Sequence, residues 1–210
     1  MTTPTLPGLE PARPVPASVA GAGPAPLLIG LDVAMGVSGV AGVGWTDHVR
    51  CTAKGQHERF AYQLDGLSSF YRNADLVVIE GAAYSKNNQG ADALAAMRWM
   101  VRHDLWKRGI PYAIVPPDQR VKYLTGTTQP KDPATGKRAT GDVLKGIVRA
   151  AVADRYGLLT EGRWRYDEAD AYALVAMGLH QLGAPVAEVS ADCAAALAGC
   201  RWPDLEAVTR

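Results

Sequence analysis

Four large apolar residues, Leu76-Val77-Val78-Ile79, run without interruption into Glu80 and Gly81. A run with no polar alternation describes a strand covered on both faces, and such strands belong to parallel sheets flanked by helices. The expected fold class is therefore α/β, with Glu80 at the strand's carboxyl edge, where open α/β sheets bind ligands. A second run, Leu27-Leu28-Ile29-Gly30-Leu31, ends in the same way at Asp32. An acid there is costly to bury unless it is hydrogen-bonded or coordinates a metal. Taken alone, Asp32 also fits a plain strand-end turn.

The other segments fill in the layers. Val37 to Trp45 and Val49 to Lys54 read as the second and third strands of a meander. Glu58 to Tyr71 reads as a helix, with Phe60, Leu64, Leu67 and Phe70 at three- and four-residue spacing. Ala91 to Lys107 is a long helix ended by Gly109. Its Leu94, Met97, Trp99, Met100, Val101, Leu105 and Trp106 cover more than one stripe, so it is either fully buried or part of a dimer interface. Pro111 to Val115 is a fifth strand, stopped by Pro116-Pro117, and Asp118 to Leu124 a short helix. Thr125 to Thr140 has no periodicity and reads as a long flexible loop of the kind that often carries function. Asp142 to Tyr156 is amphipathic, with Val143, Ile147, Val148, Ala151 and Val152 inward, and Asp167 to Leu182 reads as a buried helix. Residues 1–26 hold seven of the fourteen prolines and read as a disordered tail; 27–182 form one domain, and 183–210 an extension with room for one more short helix.

The late helix carries the remaining acids. It opens Tyr166-Asp167-Glu168-Ala169-Asp170, and Asp167 and Asp170, three apart, share a face. Glu168 points about 100° away and reads as a solvent-facing or supporting acid. Acids in a first turn also complement the helix dipole without any further role. If the strands ending at Asp32 and Glu80 are parallel neighbours, their ends lie about 4.8 Å apart. A helix packed on the sheet could then bring its first turn over both. Four carboxylates in one pocket cannot all stay ionised without cations. Oxygen donors suit Mg²⁺, with Mn²⁺ as the other possibility, and two such ions ~3.5–4 Å apart form the centre used for in-line displacement at phosphorus.

Composition narrows the partners. The chain has 210 residues, 48% hydrophobic, with a net charge of +1, so no global field attracts a polyanion. Nucleic-acid affinity has to come from a local patch. One exists between Gln119 and Arg149, where Arg120, Lys122, Lys131, Lys137, Arg138, Lys145 and Arg149 face only Asp132 and Asp142. Such cations pair with phosphates in a salt-dependent way and carry no sequence readout. Cys51, Cys193 and Cys200 form no zinc spacing, and an odd count without a framework fits a reducing cytoplasm. No signal peptide is expected, since neither a basic n-region nor a continuous apolar h-region is present. No apolar run approaches the ~20 residues that span a bilayer.

This order of strands, helices and acids resembles the RNase H-like nucleases. In detail it is similar to the RuvC-type Holliday-junction resolvases, particularly the bacteriophage forms. The matching residues are Ile29-Gly30-Leu31-Asp32, Val77-Val78-Ile79-Glu80-Gly81, Asp167-Glu168-Ala169-Asp170-Ala171, and Val115-Pro116-Pro117 followed by Lys122 and Thr125-Gly126. The resemblance spans roughly residues 27–182. It implies an RNase H-like fold, a five-stranded mixed sheet with helices on both faces. It further implies Mg²⁺-dependent paired nicking of a four-way DNA junction by a homodimer, with Asp32, Glu80, Asp167 and Asp170 as metal ligands and Ala91–Lys107 near the dimer interface. Two positions depart from the family's pattern. The aromatic three residues after the Glu is replaced by Ala83, leaving Tyr84, with Lys86 nearby, as the DNA contact of that loop. The lysine that opens the penultimate helix is absent, and Lys145, one turn later, is its substitute. Other readings keep the same acids: a nuclease for RNA:DNA hybrid, flap or ribosomal RNA, or a module that holds branched DNA without cutting it.

Overall fold

The computed structural model describes residues 26–82, 90–204, 206 and 208. The expected tail and the loop residues Tyr84 and Lys86 lie outside the described residues. Five strands form one sheet: β1 (Leu28–Asp32), β2 (Val37–Gly42), β3 (Trp45–Arg50), β4 (Leu76–Glu80) and β5 (Tyr112–Val115). Their order is β3-β2-β1-β4-β5. β1 and β4 pair in parallel, as do β4 and β5, while β1–β2 and β2–β3 are antiparallel. The sheet is mixed, with helices on both faces, which is the RNase H-like arrangement.

The two faces have separate cores. Ile29, Leu31, Val77 and Ile79 point to one side and pack against α1 (Gln56–Tyr71) and α2 (Ala91–Arg108). Leu28, Leu76 and Val78 point to the other, beneath α3 (Pro117–Thr125), α4 (Gly141–Tyr156) and α5 (Arg165–Gln181). This alternation is the period-two geometry of a strand with both faces covered.

α5 is the helix that positions the site. It is buried without a break from Ala169 to Leu179, between the sheet and α4. Small residues let it approach closely. A Cβ on Gly39 of β2 would collide with the Asp167 carbonyl, and one on Gly30 of β1 with the Ala171 carbonyl. From the helix side, a Cβ on Gly178 would press on Leu28 Cδ1 at 2.6 Å. The glycines of β1 and β2 thus set the height at which the first turn of α5 crosses the strand ends.

Several expectations are corrected. The second strand stops at Gly42, because Val43-Gly44 makes the hairpin turn, Gly44 at φ 78°, and Trp45 already begins β3. Residues 126–140 are not a featureless flexible loop. Lys131 and Arg138 form a β-bridge, and the Asp132 carboxylate accepts hydrogen bonds from Ala134 N and Thr135 Oγ1. Val143 faces outward, with Val148 and Val152 supplying the buried stripe of α4. α2 is not fully buried: Met97, Val101 and Leu105 face the core, while Trp99 and Trp106 are 64% and 69% exposed.

Beyond Gly183, α6 (Ala191–Ala194) and a 3₁₀ turn (Leu197–Gly199) lead into a backbone pairing of Arg201 with Ile114. That pairing covers part of the free edge of β5, and Ala196 and Val208 join the core below α3. No helix among the described residues is long and apolar enough to cross a membrane.

Candidate active site

The parallel register of β1 and β4 brings two acids together. Leu31 pairs with Ile79, so the next step along the ladder sets Asp32 beside Glu80. The two carboxyls are close enough to share a hydrogen bond. Across the antiparallel ladder Asp32 pairs with Gly39, whose missing side chain admits the backbone of Asp167. α5 thereby adds Asp167 and Asp170, one turn apart, to the same sheet edge.

Arg120 joins these acids from α3. Its Nε and Nη2 both donate to Glu80 Oε1, at 3.0 and 2.8 Å, and its Nη1 donates to Asp170 Oδ1. Arg120 and Glu80 are 8% exposed and Asp170 7%. The sequence alone groups Arg120 with the surface cations that meet DNA phosphates. The structure instead buries it among the carboxylates, so it is not available to the surface patch. Breaking a buried ion pair of this kind from one side costs about 3–5 kcal/mol, because the remaining charge is left without compensation.

The charge balance at the edge is negative. Burial pushes the Asp32 carboxyl well above the usual carboxylate range, and the Glu80 charge beside it adds to the effect, with Arg120 working in the opposite direction. Burial also raises Asp167, opposed by Lys145 and reinforced by Glu168. Lys145 lies on the exposed face of α4 with its Nζ 5.9 Å from the Tyr166 ring centre, near enough to act on Asp167.

The donor set fits a hard divalent cation: oxygen ligands only, and more negative than positive charge. Asp32, Glu80, Asp167 and Asp170 would hold it. Arg120 already pairs with two of the four, and among the described residues no three acids close around a single point.

Other candidates fall around this centre. Lys131, Lys137 and Arg138 are exposed on the short hairpin between α3 and α4, and Lys122 is half-buried on α3. A cleft of about 560 Å³ opens beside Arg120, between Ala82, Pro116 and Leu144, with Arg138 on its wall. Arg149 ties down the loop before α5, donating to Thr160 O at 2.6 Å. Glu168 is neither free nor among the four acids: it meets His48 Nδ1 at 3.0 Å and accepts from Thr46 Oγ1 at 3.3 Å. His48 also neighbours Trp164, over which Arg163 sits at 4.7 Å. Sequence reasoning missed Thr46, His48 and the placement of Arg120, because each depends on a contact at least 40 residues away.

No family model matches the sequence, and no curated protein matches it either. Solved structures do. The chain is similar to Thermus thermophilus RuvC, with a TM-score of 0.51 and 19% identity, over 78% of this chain and 99% of that one. It is similar as well to T. thermophilus RuvC in complex with a Holliday-junction substrate, with a TM-score of 0.50, 14% identity and the same coverage. At such identity the likeness is one of fold, and the fold is that of RuvC-type resolvases.

Proposed function

We propose that this chain is a metal-dependent, structure-selective DNA endonuclease that resolves four-way junctions. The observation that carries the reading is that Asp32 and Glu80 end neighbouring parallel strands of a RuvC-type fold, with the first turn of α5 setting Asp167 and Asp170 beside the same sheet edge. Glu80 and Asp170 are buried and Asp32 and Asp167 half-buried, and carboxylates crowded in this way belong to functional sites more often than to scaffolds. The likeness to a RuvC bound to a Holliday junction supports branched DNA as the substrate class.

A divalent ion bound here would activate water and stabilise charge on the leaving 3′-oxygen. The chain's own residues do the rest. The β1–β4 register fixes the spacing of Asp32 and Glu80, and α5 brings Asp167 and Asp170 over them. Lys145 faces Asp167 from the exposed side of α4, where it meets a scissile phosphate. Lys122, Lys131, Lys137 and Arg138 hold the flanking backbone as a salt-sensitive clamp. The exposed Trp99 and Trp106, seven residues apart on one face of α2, supply the apolar surface of a homodimer. Two such centres related by a two-fold axis suit paired nicks in a junction of the same symmetry. A cytoplasmic location, in a bacterial or phage-infected cell, goes with this activity.

Substrate choice is the test. A labelled four-way junction, a linear duplex, a flap and an RNA:DNA hybrid are offered to the wild-type protein in Mg²⁺. Symmetric nicks in the junction alone are expected. Cleavage of the hybrid or flap in preference to the junction would overturn the substrate assignment, and tight junction binding with no cleavage would replace the enzyme by a binding module.

A further inference from the structure

Arg120 occupies an unusual place for a residue of a cation-binding centre. A guanidinium presents five donors, no acceptor, and a charge that does not titrate in proteins. Here it is fixed by the packing of its own helix. α3 starts at Pro117 behind Pro116 and is capped after Thr125 by Gly126 with φ 79°. Val121, Tyr123 and Leu124 are buried beneath it, which sets the rotation that points Arg120 at the sheet edge. Its partners, Glu80 and Asp170, come from β4 and α5, so one side chain ties three elements together. By contrast, Asp32 and Asp167 have no ion pair among the described residues. The ion pairs are therefore lopsided: the Glu80–Asp170 side already has its cation, and the Asp32–Asp167 side has none within ion-pair distance among the described residues.

We propose that Arg120 is a tethered cation that takes one of the two cation positions of this centre, so that the chain binds a single divalent ion, on the Asp32–Asp167 side. This deepens the metal-dependent reading above and rests on it. A second ion at Glu80 and Asp170 would have to displace a guanidinium from two buried ion pairs, and Mg²⁺ gives up its own waters reluctantly. The guanidinium stays in place and can stabilise charge developing on a phosphoryl oxygen, as a second ion would, without any ion exchange.

The test counts ions. Mn²⁺ bound at saturation is measured by electron paramagnetic resonance on the full chain without DNA, for wild type and Arg120→Ala. One ion per wild-type chain and two per variant chain are expected. Arg120→Ala should also melt lower than wild type in EDTA and regain more of its Tm on adding Mn²⁺. A residue that served only to hold the fold would not change the ion count. Two ions in the wild type, or one in the variant, would overturn the inference and leave the metal-dependent nuclease standing. No ion bound to the wild type would overturn the metal centre itself. Should Arg120→Ala fail to fold even with Mn²⁺, Arg120→Lys, which keeps a charge, must bind one ion; two would overturn the inference.

Discussion

The height of α5 above the sheet can be tested by adding a single methyl group. Gly39→Ala places a Cβ against the backbone carbonyl of Asp167, and no rotamer change relieves a clash with backbone. Either β2 sinks or α5 lifts. Overpacking of a well-packed site costs about 1–3 kcal/mol, and a backbone clash belongs at the upper end, about 3 kcal/mol. For a chain of this size that lowers Tm by roughly 6–12 °C. Because Gly39 pairs with Asp32 in the ladder and touches Asp167 above it, the same change should separate the two acids and abolish cleavage even where the protein remains folded. Gly146→Ala is the control. That glycine lies inside α4 with nothing within 4 Å of the added Cβ. Alanine there should stabilise by about 0.5–1 kcal/mol, raising Tm by roughly 1–4 °C. Differential scanning calorimetry and a cleavage assay on both variants decide the matter. A Gly39→Ala protein that melts with the wild type and cuts at its rate would refute the close approach of α5.

Other perturbations probe the surroundings. Asp32 and Asp167 have carboxyls raised above 3.8 in the folded chain, so their contribution to stability is complete below that pH and is lost as pH rises through the folded values. In EDTA, Tm should therefore fall as pH climbs from about 4 toward neutrality, and Asp32→Asn should reduce that fall; an unchanged slope would count against the crowding. Asp104 behaves oppositely: burial works against it, but hydrogen bonds from Arg108 and Tyr71 outweigh burial and hold its carboxyl low, so Asp104→Asn should destabilise above pH 3.8 and lose its effect in stronger acid, as read by calorimetry. Replacing Lys131, Lys137 and Arg138 by Ala should weaken junction binding and flatten the plot of log K against log salt by up to about 0.9 for each phosphate no longer neutralised; fluorescence anisotropy across a salt series measures it. If the proposed homodimer forms through this face, Trp99→Glu with Trp106→Glu should convert it to monomer in light scattering, with no loss of Tm from the core, since both rings are exposed.

Much of the fold is legible in the sequence because its strongest signals are local. The β4 run Leu76–Ile79 and the β1 run Leu28–Leu31 announce themselves as unbroken apolar stretches ending at an acid, and the stop residue Gly109 sits at a left-handed helix end, at φ 68°. The buried character of α5 follows from its small and apolar residues, and the parallel pairing of β1 with β4, posed from the sequence as the condition for the acids to meet, is found. What the sequence hides is non-local. Nothing near Arg120 in the chain separates it from the basic residues that follow, and only the packing of α3 turns it inward to Glu80 and Asp170, 40 and 50 residues away. Glu168 likewise finds His48 and Thr46 across the sheet, 120 and 122 residues away. The ordered turn at 130–139 gives no periodic signal because its scaffold is the Asp132 side chain rather than an apolar stripe. The hairpin at Val43-Gly44 is masked because Gly, Val and Ala precede it without a break in pattern.

The most direct measurement is single-turnover cleavage of a four-way junction by wild type, Glu80→Gln and Asp167→Asn, with junction binding measured in parallel in Ca²⁺. Both variants should bind the junction about as tightly as wild type and leave it uncut, which places the chemistry at the carboxylates of β4 and α5. Cleavage by either variant at the wild-type rate would contradict the assignment of the catalytic centre to this cluster.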